Sequence, residues 1–342
     1  MARLIGILAA LLGLAALAAL AVTWWYWQAL DTPGPAAEAV VVEVPAGASL
    51  GRVAARLEEA GVVRNGVMLQ WHGRLSGQAG QVRAGEYRFP AGSTPRQVMD
   101  QLVAGEVVLH AITIVEGWTF RQLRAALEAH PAIGEKLPAG QEEALMARLG
   151  RPGEHPEGWF LPETYRFPRG TSELQLLTMS HRAMVAALDE AWAQRAEGIP
   201  LETPYEALIL ASIIERETGL ADERHEIAGV FARRLQRGMR LQTDPTVIYG
   251  LGEEFDGNLR RVDLRTDTPY NTYTRHGLPP TPIALPGRAA LEAAVHPADG
   301  KALYFVATGD PDGSHYFSET LAEHNRAVAR YLATLRERRN GN

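Results

Sequence analysis

The chain has 342 residues, a formal net charge of −6 at pH 7 and no cysteine. That length admits two domains of ordinary size besides an anchor, and the missing cysteines exclude a disulfide framework and a thiolate zinc site. An acidic balance without a basic cluster, and aromatics that are few and scattered, argue against nucleic-acid binding.

The first predicted element is a membrane span. Leu4 to Trp27 carries no charge, and at 1.5 Å per residue it forms a helix of about 36 Å, enough to cross the hydrocarbon core with some tilt. It ends in Trp24-Trp25-Tyr26-Trp27, an aromatic belt suited to the headgroup region that favours retention over cleavage as a signal peptide. Arg3 precedes the span and Asp31 and Glu38 follow it, which places the start in the cytoplasm and the rest outside.

A linker with Pro33 and Pro35 leads to a predicted strand at Val40 to Val44, and then a pattern repeats. Gly47-Ala48-Ser49, Gly92-Ser93-Thr94, Gly117-Trp118-Thr119 and Gly170-Thr171-Ser172 each set a turn glycine two residues before a hydroxyl N-cap. Each is followed by helical periodicity. Glu86-Tyr87-Arg88-Phe89-Pro90 is echoed by Thr164-Tyr165-Arg166-Phe167-Pro168. Short strands and helices in alternation predict an α+β module over 40–115 and a related extension towards Gly170. Gly47-Ala48-Ser49-Leu50-Gly51 also matches the G-x-S-x-G nucleophile elbow. The other three copies keep the hydroxyl and lose the second glycine, so capping accounts for Ser49 without catalysis. The segment from Ala132 to Glu157 has no assignable pattern.

A long helix is predicted over Leu174 to Ala196, and a second follows with clear start signals. Thr203-Pro204-Tyr205-Glu206 reads as an N-cap, a proline at the first helical position and a capping-box glutamate. Ala207 to Ile214 is uncharged on every face, the mark of a helix buried in a core. It runs into Glu215 and Glu217, which helical geometry puts about 200° apart, so at most one enters a given pocket. A carboxyl group at the end of a buried helix loses hydration and holds its proton towards neutral pH, as a general acid must. The alternative is two solvated charges before a C-cap at Gly219. Beyond a helix at Ile227 to Leu235 the chain turns polar and irregular, through Gln242-Thr243-Asp244-Pro245 and Tyr270-Asn271-Thr272-Tyr273. Loops of this size inside a compact domain usually serve function. A strand at Leu303 to Thr308 and a helix from Ser318 to Arg336 close the chain.

The ten histidines show no ligand spacing, and phosphate-loop and dinucleotide fingerprints are absent. No metal and no cofactor is therefore expected. Carboxylates, hydroxyls, amides and rings are left, the palette of carbohydrate chemistry. Glycoside hydrolysis needs two carboxyl groups, and Asp244 could be the second, though Asp-Pro is equally a turn start. A substrate that supplies its own hydroxyl nucleophile needs only one.

Ala211-Ser212-Ile213-Ile214-Glu215-Arg216-Glu217-Thr218, the run Gly238 to Gly250, Tyr270-Asn271-Thr272-Tyr273 and Gly277-Leu278-Pro279-Pro280, in this order and spacing, closely resemble the endolytic murein transglycosylases, the MltG or YceG-like family. Ala294-Val295-His296-Pro297 and Leu303 to Ala307 fit as well. The resemblance implies cleavage of the β-1,4 bond between N-acetylmuramic acid and N-acetylglucosamine in nascent peptidoglycan, leaving 1,6-anhydro ends and terminating glycan elongation. It gives the acid role to the second glutamate, Glu217, and leaves Glu215 structural. Gln242, Thr243, Asp244, Asn271 and Tyr273 are the candidates for lining the sugar cleft, from their polarity beside the acid. The expected fold is α+β: residues 1–30 a cytoplasmic start and transmembrane helix, 31–39 a linker, 40–115 a LysM-like glycan-binding module, 116–200 a connecting α+β region and 201–338 a mixed α/β YceG-like catalytic domain. The expected location is the inner membrane, single-pass, with the catalytic domain periplasmic. The expected partners are glycan strands and, by family role, peptidoglycan synthases (penicillin-binding proteins). Two rival readings are a noncatalytic glycan-binding scaffold and a hydrolytic muramidase using Glu217 with Asp244.

Overall fold

The computed structural model describes residues 2–340. It begins with helix α1 (Ala2–Leu30), whose stretch Ile5–Leu30 is long and apolar enough to cross a membrane, with a mean hydropathy of 2.7. Strand β1 (Val40–Val44), helices α2 (Leu50–Glu59) and α3 (Gly66–Leu75), strand β2 (Gly85–Phe89) and helix α4 (Pro95–Ala104) follow. Strand β3 (Leu109–Thr113), helices α5 (Phe120–Ala129) and α6 (Glu142–Arg148), strand β4 (Thr164–Pro168) and the long helix α7 (Glu173–Ala193) come next. The chain ends with α8 (Pro204–Glu217), α9 (Arg224–Gln236), α10 (Asp244–Leu251), α11 (Arg288–Val295), β5 (Tyr304–Ala307), β6 (His315–Ser318) and α12 (Leu321–Asn340). The strands pair two by two, β1 with β2, β3 with β4 and β5 with β6.

The chain divides into two compact units, one made of 1–110 with 166–170, the other of 111–165 with 171–342. In the first, β1 and β2 are antiparallel with Val42 opposite Tyr87 and Val40 opposite Phe89. Alternation sends Val42, Val44, Tyr87 and Phe89 to one face. There they pack with Leu50, Val53 and Leu57 of α2, Leu69 of α3 and Val98, Met99 and Leu102 of α4. The repeated turn is real. Gly47, Gly92, Gly117 and Gly170 all have φ between 67° and 85°, a region that costs other residues steric strain, and Ser49, Thr94, Thr119 and Ser172 each cap the helix that follows. Ser49 Oγ accepts from the Arg52 amide. The echoed strands share a second device, since Tyr87 Oη donates to Arg83 O at 2.7 Å and Tyr165 Oη to Leu161 O at 2.8 Å.

The second unit is built around α8. Thr203 and Glu206 form the expected capping box. Helices α7, α9, α10 and α11 all pack against α8, so Ala207 to Ile214 are buried without interruption. Such a helix has no solvent face, which is why its sequence has no polar stripe. The last turn departs from the expectation, because Thr218 in an extended conformation ends the helix and Gly219 has no left-handed φ. The polar segment after α9 also holds more structure than its composition promises, with Asp244-Pro245 opening α10.

Since the Thr203 side chain is exposed and its hydroxyl caps the Glu206 amide, Thr203→Ala should lower the unfolding free energy of this unit by about 1 kcal/mol, whereas Thr203→Ser should keep it. Urea denaturation of the two variants measures this.

Candidate functional site

Polar side chains from the second half of α8 each fasten a different loop. Ser212 Oγ accepts from the Ile283 amide at 3.0 Å, and Glu215 Oε2 from the Gly287 amide at 2.9 Å. Arg216 donates to Gly117 O at 3.2 Å. Glu217 takes the remaining direction, and its Oε1 accepts a hydrogen bond from Thr243 Oγ1. The two glutamates thus separate as the 200° spacing requires, with Glu215 bound to the start of α11 and Glu217 turned to the polar loops.

Glu217 is partly buried by surface, yet protein atoms crowd its carboxyl group. Loss of hydration is accordingly the largest influence and pushes its pKa to about 7. The nearby anion Asp244 adds to the rise, whereas the Thr243 hydrogen bond and the Arg234 charge oppose it. Glu215 is also raised, first by burial, but the Gly287 amide works against the shift.

Thr243 has 2% of its surface exposed and Thr272 likewise. Thr272 Oγ1 accepts from the Thr243 amide at 3.1 Å and lies 2.9 Å from Thr246 Oγ1. This hydroxyl lattice fixes Thr243 against Glu217. Asp244, exposed at the first position of α10, accepts from Tyr273 Oη at 2.5 Å. Gln242 has φ +53°, unique for a non-glycine among the described residues. That left-handed backbone costs about 1 kcal/mol, and it is held by a bond from the Gln242 amide to Thr272 O at 3.2 Å. Asn271 acts at one remove. It is fully buried, its amide nitrogen donates to Asp263 O and Thr266 O, and its Oδ1 accepts from the Tyr273 amide. Thr243, Asp244 and Tyr273 are therefore gathered around Glu217, with Gln242 at the edge and Asn271 shaping the loop that carries Tyr273.

Two contributors were invisible in the sequence. Buried Arg234 of α9 donates to Leu303 O at 2.6 Å, Leu241 O at 2.8 Å and Arg240 O at 3.1 Å, setting the approach to Gln242 and placing a positive charge near Glu217. Glu157, from the segment without pattern, is 2% exposed and also pushed by burial to about 7. Its oxygens accept from the Phe120 amide at 2.8 Å and Tyr249 Oη at 3.1 Å. It borders a cavity of about 790 Å³ that Phe120, Arg216, Pro245, Tyr249 and Tyr270 also line. This cavity takes in Arg216 and Pro245, the chain neighbours of Glu217 and Asp244, but neither acid itself. Glu157 accepts from two donors and faces the cavity. Glu217, by contrast, is a partly buried carboxyl with a single donor.

A family model described as the YceG-like family matches residues 42–330. The chain is 30% identical over 316 residues to a Bacillus subtilis protein named endolytic murein transglycosylase, covering 87% of this chain and 86% of that one. It is 26% identical over 336 residues to a Streptococcus pneumoniae protein of the same name, covering 86% of this chain but 58% of that longer one. A crystallised yceG-like protein of Listeria monocytogenes superimposes with a TM-score of 0.54 at 31% identity, over 84% of this chain and 99% of that one.

The raised pKa has a thermodynamic signature. Below pH about 4 both folded and unfolded states carry the proton, and between the unfolded value near 4.5 and the folded value of about 7 only the folded state does. Stability therefore falls across that window, by up to about 3 kcal/mol at 1.4 kcal/mol per unit, less whatever solvent reaches the group. Glu217→Gln should be more stable than the parent at pH 8 and equal to it at pH 4, as read from chemical denaturation at both pH values.

Proposed function

The chain belongs to the YceG-like family, and from that premise we propose that it is an endolytic murein transglycosylase that cuts the N-acetylmuramyl-β-1,4-N-acetylglucosamine bond with Glu217 as its one proton-transfer group. The observation that carries this reading is the Glu217 carboxyl group, desolvated to a pKa of about 7 and set, only partly buried, beside the polar loops.

Protonated Glu217 donates to the glycosidic oxygen as the bond from C1 breaks. The muramyl C6 hydroxyl then closes on C1 while the carboxylate takes its proton. The products are a 1,6-anhydro end and a free N-acetylglucosamine hydroxyl, and no water is consumed. The acid is restored in its starting state, so a single carboxyl group suffices. Gln242 and Tyr273 offer amide and hydroxyl contacts that orient the sugar, buried Thr243 fixes the Glu217 carboxyl, and Asn271 holds the loop that carries Tyr273. Asp244, already engaged by Tyr273, serves by keeping the proton on Glu217. A muramidase would instead use Asp244 to activate water. A glycan-binding scaffold would not need a desolvated acid.

The wider assignment follows the same reading. Helix α1 anchors the chain in the inner membrane with its start in the cytoplasm, the catalytic unit works in the periplasm on nascent strands, and the first unit is a LysM-like glycan-binding module. The action terminates glycan elongation beside peptidoglycan synthases.

Glu217→Gln should fold and lose release of 1,6-anhydro products from purified glycan by at least about 10²-fold, the usual range for a general acid. Activity of the parent should fall as pH rises through about 7, where Glu217 loses its proton. Because Asp244 raises that pKa and the Thr243 hydroxyl lowers it, Asp244→Asn should move the alkaline limb to lower pH and Thr243→Val to higher pH. Chromatography of digests across pH, with mass detection, checks each shift, and full anhydro release by Glu217→Gln would sink the assignment.

A further inference from the structure

Helix α3 carries an apolar stripe that the core of its unit does not use. Val67, Trp71 and Leu75 recur every fourth residue and are 56%, 57% and 71% exposed. They cover about 80° of the helix circumference. Leu69 and Gly73 on the other side are buried in the core. Single exposed apolar residues need no explanation, but three in register on one helix form a patch.

The position of α3 along α1 identifies what covers it. Tyr26 Oη is hydrogen bonded to His72 Nδ1 at 3.0 Å, so the middle of α3 lies at the level of Tyr26. Counting from Ile5, about 20 residues at 1.5 Å each span a hydrocarbon core of about 30 Å and end near Trp24. Tyr26 then lies about 3 Å further along the axis, at headgroup depth with Trp24, Trp25 and Trp27. One turn on, Leu30 is fully buried in the unit. Arg96 of α4 pairs with Asp31 at 3.0 Å and stacks over Trp27 at 5.0 Å, so α1 enters the unit at a fixed angle rather than through a free hinge. Helix α3 is thereby held near the level of the aromatic belt, with its stripe turned away from the core of its unit. Its sequence has no acidic residue, and exposed Arg64 and Arg74 flank the stripe, which suits an anionic leaflet.

We propose that the Val67-Trp71-Leu75 face is a lipid-docking surface that inserts into the interfacial layer of the bilayer spanned by α1. Trp71 has the ring type enriched at this depth. Docking fixes the first unit against the membrane at two points, the helix and the stripe, so that it does not turn about its anchor. The inference rests on reading α1 as a membrane anchor.

The absence of native cysteine makes a direct depth measurement possible. Full-length chains carrying one of Val67→Cys, Trp71→Cys, Leu75→Cys, Leu14→Cys or Ala55→Cys are nitroxide-labelled and reconstituted into nanodiscs of phosphatidylethanolamine and phosphatidylglycerol. Collision rates with oxygen and with a water-soluble nickel chelate are then compared. The expected result is that labels at 67, 71 and 75 favour oxygen as Leu14 in the span does, several-fold over Ala55 on exposed α2. If Leu14 reads lipid while 67, 71 and 75 read water, the docking surface is wrong and the anchor stands. Labels at 67, 71 and 75 shielded from both reagents mean that a protein or a second copy covers the stripe, which also overturns the proposal. A water reading at Leu14 removes the anchor and the proposal with it.

Discussion

The second unit depends on α8 being enclosed on every side. Four helices surround it, and three alanines of α11, Ala290, Ala293 and Ala294, present no bulk where that helix meets its neighbours. An apolar helix in such a setting must end somewhere, and its last two turns are where polar groups enter. Ser212, Glu215, Arg216 and Glu217 leave in different directions and hold the loops at Ile283, Gly287, Gly117 and Thr243. One rigid element therefore orients the acid and the walls around it. Truncating a core residue such as Ile213 or Ile214 would cost about 2–5 kcal/mol in packing and would also loosen these four attachments.

Burial raises two carboxyl groups to about the same value, and their surroundings differ. Glu157 meets the first amide of α5 and the Tyr249 hydroxyl, and it borders the cavity. It joins α5, α10 and the segment between α6 and β4. Glu217 has one donor, a neighbouring anion and a remaining open side. A raised pKa alone would not have separated the two, whereas the count and direction of donors does.

Local chemistry was plain in the sequence wherever a residue's role is decided by its near neighbours. The four hydroxyl caps with left-handed glycines, the Thr203 capping box, the uncharged apolar helix over Leu4 to Trp27 and the buried character of Ala207 to Ile214 all depend on contacts within a few residues or on helical periodicity. The echo of Tyr87 in Tyr165 extended to the same hydrogen bond four residues back. The choice between Glu215 and Glu217 was not visible in this way, because it depends on Gly287 and Thr243, far along the chain. Asp244-Pro245 fits a turn and a helix start equally, and packing of α10 on α8 decided for the helix. Arg234, Glu157 and Asn271 are polar residues whose partners are distant backbone groups, so no local spacing marks them. The short pair β5 and β6 was half seen, since four residues at His315–Ser318 carry too little alternation to stand out.

The central claim is that one desolvated carboxyl group serves as acid and then as base while the substrate supplies the nucleophile. Digestion of purified glycan strands in water enriched in oxygen-18 tests it most directly. The account predicts new 1,6-anhydro ends without the heavy isotope. Oxygen-18 in the new reducing ends would mean that water attacks C1, and would contradict it.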